Sequence, residues 1–329
     1  MTAQHPPAAA TGDAHSPLMH FPVGFFAMVM GLAGLTLATL RLEHAANAGH
    51  AASPFLLGLT VIAFVAIASA YIAKALKFPA AFKADWNHPV RIAFFPAATI
   101  GLILLGTAML PLMPGVGAAV WMIGAALHFA LTLTVVSTWI GHRSFEPVHM
   151  NPAWFIPAVG NVIVPIVGMK LGYVELSWFF FSVGMVFWII LATLVFNRLI
   201  FHAPLPERLM PTLMILVAPP AIGFVSYAAL TGGIDPFARI LYYAAVMFAL
   251  VFATQIGKLR KLPFMISWWA YSFPFAALTI ATFVYAEMTG IAAFASAAYL
   301  LYGMLVLVLA FLTGRTLVGL TRGEILKPE

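Results

Sequence analysis

The sequence predicts an all-α integral membrane protein of ten transmembrane helices, arranged in series as five helical hairpins. Three observations predict it. Of 329 residues, 63% are hydrophobic and only 8% charged, against about 25% charged in soluble domains. The apolar residues fall in long runs without alternation, which excludes an outer-membrane barrel. Four of the five odd-numbered runs carry interior prolines, and no even run does. A chain this apolar is neither a soluble enzyme nor disordered, since disorder needs low hydrophobicity and high charge. Cysteine is absent, which removes disulfides, thiolate metal sites and Cys nucleophiles.

Residues 1–20 are rich in Ala, Pro and His and lack Lys and Arg, so they predict a flexible cytoplasmic tail rather than a signal peptide with a basic leader. Span one covers 21–40 and carries Gly31 and Gly34 in place of an interior Pro. Span two, 54–73, has Pro only at its start. Span three, 90–112, holds Pro96; span four, 116–140, holds His128 and no Pro. Span five, 153–169, holds Pro157, Asn161 and Pro165. Span six, 176–199, has no Pro, and span seven, 211–230, has Pro219 and Pro220. Span eight, 236–256, begins with Pro236; span nine, 264–288, holds Pro274; span ten, 291–314, has none. The links are short, so 21–315 forms one membrane domain and 316–329 a second cytoplasmic tail.

The intervals Pro96 to Pro157, Pro157 to Pro220 and Pro220 to Pro274 are 61, 63 and 54 residues, each the length of one hairpin. An interior Pro deprives a carbonyl of its donor. Hydrocarbon supplies no substitute, whereas a protein interior or wet cavity does. Odd spans therefore form the inner ring and even spans face lipid. Thirteen of the sixteen Lys and Arg lie in links after even spans or in the C-terminal tail; only Arg41, Lys170 and Arg239 lie on the other side. The positive-inside rule puts both termini in the cytoplasm, with the protein in the plasma (inner) membrane. Lys74, Arg91 and Arg239 sit near span ends, where long side chains snorkel.

All ten acidic residues lie in tails, links or span ends. Among Asp, Glu, Lys, Arg and His, only His128 lies at a span centre, and a lone His there more often makes a helix–helix hydrogen bond than carries protons. No facing set of ligands suggests a metal or haem, and no Walker loop, HExxH or GxSxG occurs. The sequence thus predicts no cofactor, no nucleic-acid partner and no enzymatic chemistry. Polar groups on odd spans are small, as in Thr99, Asn161 and Ser226, so a pathway through them is narrow and neutral. Broken helices favour anions there through the partial positive charge of their N-termini.

Several segments resemble the slow-type anion channel family of plant guard cells, which takes in the bacterial tellurite-resistance protein TehA, named also as a C4-dicarboxylate transporter, and fungal malate transporters. The strongest is Trp268-Trp269-Ala270-Tyr271-Ser272-Phe273-Pro274, continuing through Ala281-Thr282. Asn151-Pro152 with Val159-Gly160-Asn161, Ala218-Pro219-Pro220, and His20-Phe21-Pro22 leading into Gly31-Leu32-Ala33-Gly34 are similar to further family segments. The resemblance covers residues 20–315 in order and spacing. It implies ten helices around a quasi-fivefold central pore lined by odd helices, and a homotrimer in membrane lipid with one pore per protomer. It also implies passive conduction of small inorganic or organic anions, and a Phe on the ninth span that plugs the pore. By motif position that Phe is Phe273. On residues alone, a ring beside the kink at Pro274 suits an apolar constriction that gates by dewetting, although core packing accounts for most Phe residues in such spans. Gly31, Pro96, Pro157, Asn161, Pro220 and Pro274 are the expected pore-lining or helix-kink positions. The rival readings are a secondary carrier of dicarboxylate, sulfite or tellurite, and a membrane-embedded enzyme.

Overall fold

The computed structural model describes residues 16–141 and 145–326. Residues 1–15, 142–144 and 327–329, which include most of the expected N-terminal tail, lie outside the described residues. Among the described residues the chain is helical, without strands. Ten membrane-scale segments follow in order: α1 (Val23–Ala45), α2 (Ser53–Lys77), α3 (Arg91–Met109), α4 (Pro114–Gly141), α5 (Pro152–Gly168), α6 (Val174–Phe201), α7 (Glu207–Thr231), α8 (Pro236–Leu259), α9 (Ile266–Thr289) and α10 (Ala292–Thr321). Nine are long and apolar enough to cross a bilayer; α5 is shorter. It is built of α and 3-10 pieces, and the larger rise of 3-10 turns, about 2.0 Å per residue, lengthens its reach. A 3-10 turn, Pro17–His20, occupies the end of the expected tail, and α10 continues to Thr321 beyond the expected end at 315.

The even segments are unbroken α-helices of 24 to 30 residues. Continuous hydrogen bonding is what a lipid-facing backbone requires. They face outward: 17–33% of the central stretch of each even segment is buried, against 67–89% for α1, α3, α7 and α9. Phe55, Ile62, Ile140, Ile189, Leu250 and Leu307, all on even segments, stand exposed where only hydrocarbon suits them. Segment α5 is buried along nearly its whole length. Each odd segment packs against the next odd one, and α9 packs back on α1, so the odd contacts close into a cycle; each even segment packs on the odd segments before and after it.

Local chemistry fixes the hairpin ends. The Glu43 carboxylate near the end of α1 accepts from the Ala52 and Ser53 amides at 2.6 and 2.9 Å, capping α2 from outside. Asp235 caps α8, accepting from the Ala238 amide at 2.8 Å, with Pro236 at the first helical position. The Tyr227 hydroxyl and that amide hold the Asp235 carboxyl below its usual range. Between α2 and α3, Asp85 of the short helix Pro79–Asn87 accepts from Lys74 Nζ at 2.6 Å, Tyr71 Oη at 3.0 Å and Arg91 at 2.9 Å. Lys74 also donates to the Phe21 carbonyl at 2.9 Å. Lys74 therefore does not snorkel as expected: it is 2% exposed, because a buried carboxylate pairs it. Arg239 bonds the Tyr285 hydroxyl at 3.0 Å.

Candidate functional site: a cavity shared by the odd segments

Every odd segment changes helix type part-way. In α1 a 3-10 turn, Val23–Phe25, precedes the α-helix Phe26–Ala45. In α3, Arg91–Phe94 precedes Pro96–Met109; in α7, Glu207–Val217 precedes Ala218–Thr231; in α9, Ile266–Tyr271 precedes Ser272–Thr289. Segment α5 runs from α (Phe155–Val159) through 3-10 (Gly160–Ile163) to α again (Pro165–Gly168). The prolines explain the changes, and in a way the sequence did not suggest. Pro96, Pro157, Pro220 and Pro274 were expected as interior kinks. Each instead lies in the first turn of an α piece, where the N–H it lacks has no intrahelical acceptor to lose. They sit where a 3-10 turn gives way to an α piece. The carbonyl of Val162, which can receive nothing from Pro165, accepts the Ser226 hydroxyl of α7.

The changes of helix type surround one cavity of about 60 Å³, and each of its eighteen lining residues lies on an odd segment. A water needs about 10–15 Å³ of such space, so the cavity is a narrow slot for a few waters. Its wall includes Ala27 of α1, Phe94 and Ile100 of α3, Val159 and Gly160 of α5, Ala218 and Pro219 of α7, and Trp269, Phe273 and Pro274 of α9. No Asp, Glu, Lys, Arg or His belongs to it.

The WWAYSFP run divides its labour. Trp269 is fully buried and donates from Nε1 to Thr316 Oγ1 of α10 at 2.9 Å, tying α9 to the helix behind it. Tyr271 packs edge-on against Phe252 of α8 at 5.4 Å. Ser272 donates to the Trp269 carbonyl at 2.6 Å and lies against Gly31, where a Cβ would fall 2.5 Å from the Ser272 Cβ. Phe273, 7% exposed, and Pro274 turn to the cavity. The Phe273 ring lies beside α1, its Cδ2 3.6 Å from where a Gly34 Cβ would stand.

Of the positions expected from sequence, Phe273 and Pro274 therefore meet at the cavity. Gly31 does not line it; its missing side chain lets α1 and α9 approach. Pro96, Pro157 and Pro220 lie beside lining residues without joining the wall. Asn161 is turned away from it: fully buried, its amide donates to Thr132 Oγ1 of α4 at 2.9 Å and to the Ala158 carbonyl at 2.8 Å. Those bonds satisfy the amide N–H donors, while Oδ1 is buried without a hydrogen-bond partner among the described residues. Thr132 donates in turn to the Pro157 carbonyl at 2.6 Å. His128 Nδ1 lies 3.0 Å from Thr99 Oγ1 of α3, a helix–helix hydrogen bond, and its Nε2 abuts Gly160, where a Cβ would fall 2.6 Å away. The apolar wall residues Ala27, Met30, Phe94 and Ile215 carry no sequence signal of their own; only nearness to a helix change marks them.

The profile of the voltage-dependent anion channel family matches residues 20–317. The S-type anion channel SLAH3 of Arabidopsis thaliana is 28% identical over 279 residues, which is 82% of this chain and 44% of the plant protein. The tellurite resistance protein TehA homolog of Haemophilus influenzae is 27% identical over 267 residues, 78% of this chain and 79% of the relative. The uncharacterized transporter MJ0762 of Methanocaldococcus jannaschii is 26% identical over 300 residues, 84% and 87%. The chain spans 44 to 54% of the length of three plant S-type anion channels it is similar to. The match takes in every odd segment that contributes to the cavity, and the chain belongs to the voltage-dependent anion channel family.

Proposed function

We propose that the protein is an anion channel in which the cavity shared by the odd segments is the narrowest part of a conduction path and Phe273 is its gate. The observation that carries this reading is the position of the slot. Four α-helices of 14 to 20 residues, Phe26–Ala45, Pro96–Met109, Ala218–Thr231 and Ser272–Thr289, begin beside it. Each helix start adds a partial positive charge, smaller than the half unit of a free helix end because a 3-10 turn leads into it. A slot with no charged side chain and several such starts favours an anion without holding it tightly, as conduction requires. Selectivity then follows from size and helix dipoles. The family and the relatives named as anion channels support the same reading.

Passive conduction needs no cofactor and no catalytic residue. The assembly is a homotrimer with a quasi-fivefold pore in each protomer, seated in the plasma (inner) membrane with both termini cytoplasmic. The thirteen-to-three division of Lys and Arg between the two sides supports that orientation. Reversal potentials of purified protein in planar bilayers, in gradients of chloride, nitrate, sulfite and malate, test the reading. Anion-selective currents with resolved unitary steps are expected. Saturating flux coupled to a proton or sodium gradient, without unitary currents, would replace the channel with a carrier.

A further inference from the structure

A second cavity, of about 440 Å³, lies where α1 and α9 end and α10 begins. Its wall carries Arg41 and His44 of α1, Phe283 and Glu287 of α9 and Tyr299 of α10, with small aliphatic residues between them. Phe283 and Tyr299 meet edge-to-face at 5.6 Å and 89°, giving the wall an aromatic pair beside its polar residues. Those polar residues are under-satisfied. Arg41 stands 3.7 Å from Glu287 Oε2, beyond hydrogen-bond reach, and makes no hydrogen bond among the described residues. Glu287 is half exposed, so water can solvate it when it turns aside. Lys170, in the link after α5, lies near enough for the Arg41 charge to act on it; burial first, and that charge second, hold its ammonium below the ordinary range. Arg41 thus has one loosely engaged carboxylate and a second cation nearby.

We propose that this cavity binds an aromatic monocarboxylate, its carboxylate on the Arg41 guanidinium and its ring against Phe283 and Tyr299. A guanidinium presents a planar fork of donors that matches a carboxylate in two parallel bonds. The cavity is several times larger than the central slot, so a halide would leave most of it to water and would gain nothing from the aromatic side. An organic body fills that volume and removes apolar surface from water. The ligand is therefore of a different class from the small anions of the channel reading, and the site does not depend on that reading.

Isothermal titration of the purified full-length protein in detergent tests it, with benzoate as probe and benzamide as the neutral isostere. Benzoate should bind saturably, one per chain, and benzamide at least about tenfold more weakly, the worth of a charge-assisted pair. Arg41→Gln should weaken benzoate by at least about tenfold, and Arg41→Lys, which keeps the charge but not the fork, by less. Ala295→Phe puts a ring into the cavity from α10 where the probe's ring would lie, leaves every charge in place and should weaken binding. The melting transition of each variant is recorded beside the titration; if Arg41→Gln does not fold, Ala295→Phe decides. No benzoate heat from folded wild-type protein, equal binding of benzamide, or unchanged binding by folded Arg41→Gln or Ala295→Phe would overturn the proposal. No flux is measured, so this failure and a failure of the channel reading remain separate results.

Discussion

Replacing Phe273 by Ala separates a gate from a packing residue. The ring is 93% removed from solvent exposure, since 7% remains, so nearly the full value of burying a Phe applies, about 1.5–3 kcal/mol. If the shut state owes its advantage to that ring, the wild-type channel is shut in all but roughly one part in ten to one part in a hundred, at tenfold per 1.4 kcal/mol. Phe273→Ala should then raise anion current by roughly one to two orders of magnitude. Phe273→Leu keeps a smaller apolar plug and should give an intermediate gain. A packing Phe behaves otherwise: truncation costs about 3–5 kcal/mol of stability and yields no current. Current, protein yield and oligomeric state are therefore measured together in proteoliposomes and in detergent. Phe275, next along α9 and outside the cavity wall, is the control. If Phe273→Ala only lowers folded protein, or if Phe275→Ala raises current equally, the gate assignment is wrong.

Permeation should change little between roughly pH 5.5 and 8, the range in which an unperturbed His titrates, because no titratable side chain lines the slot. Proton-driven uptake of anion into proteoliposomes would defeat that expectation. Asp85→Ala should destabilise the protein by about 3–5 kcal/mol, since it leaves the buried Lys74 ammonium without its carboxylate; Lys74→Met with Asp85→Leu should recover most of the loss, and thermal unfolding in detergent reads both. Pro220→Ala, in the first turn of an α piece, should cost little. Val186→Pro, on the exposed face of unbroken α6, should cost about 3 kcal/mol or more and lower membrane-inserted yield; similar losses from the two would contradict the division into broken and unbroken helices.

What the sequence made legible was the alternation. Helical membrane segments, their order and the odd-only prolines follow from apolar runs and residue type, and the burial of α1, α3, α7 and α9 against the exposure of the even helices agrees with the inner and outer roles read from Pro alone. Phe273 and Pro274 were legible at the cavity because they sit in a specific motif on a proline-bearing segment. Other features were hidden for physical reasons. Whether a Pro bends a helix or begins one depends on the hydrogen bonding of the preceding turn, which residue type does not encode; hence the 3-10 runs before Pro96 and Ala218 were unforeseen. Asn161 reads as a pore residue by polarity, yet its orientation is set by Thr132 on a neighbouring segment, 29 positions away in the chain. Lys74 reads as a surface lysine until Asp85, 11 residues on, folds back over it.

The same requirement accounts for the division between rings and for the place of the slot. A backbone against lipid must satisfy every carbonyl within its own helix, so α2, α4, α6, α8 and α10 carry no interior Pro and no change of helix type. At α5 a hydroxyl from another segment meets a carbonyl, Ser226 for Val162 and Thr132 for Pro157; at α3 and α9 the segment's own Thr99 and Ser272 do so for Pro96 and Trp269. All the breaks therefore gather on the five segments that the even helices shield. Where the breaks meet, straight helices no longer pack against one another, and the apolar side chains of Phe94, Trp269 and Phe273 close the space only in part. The α pieces that carry prolines in their first turn begin beside that space. On the proposed channel reading, a neutral slot that favours anions is a by-product of where a membrane protein can interrupt a helix, and its selectivity would come from the narrowness that a few large rings leave there.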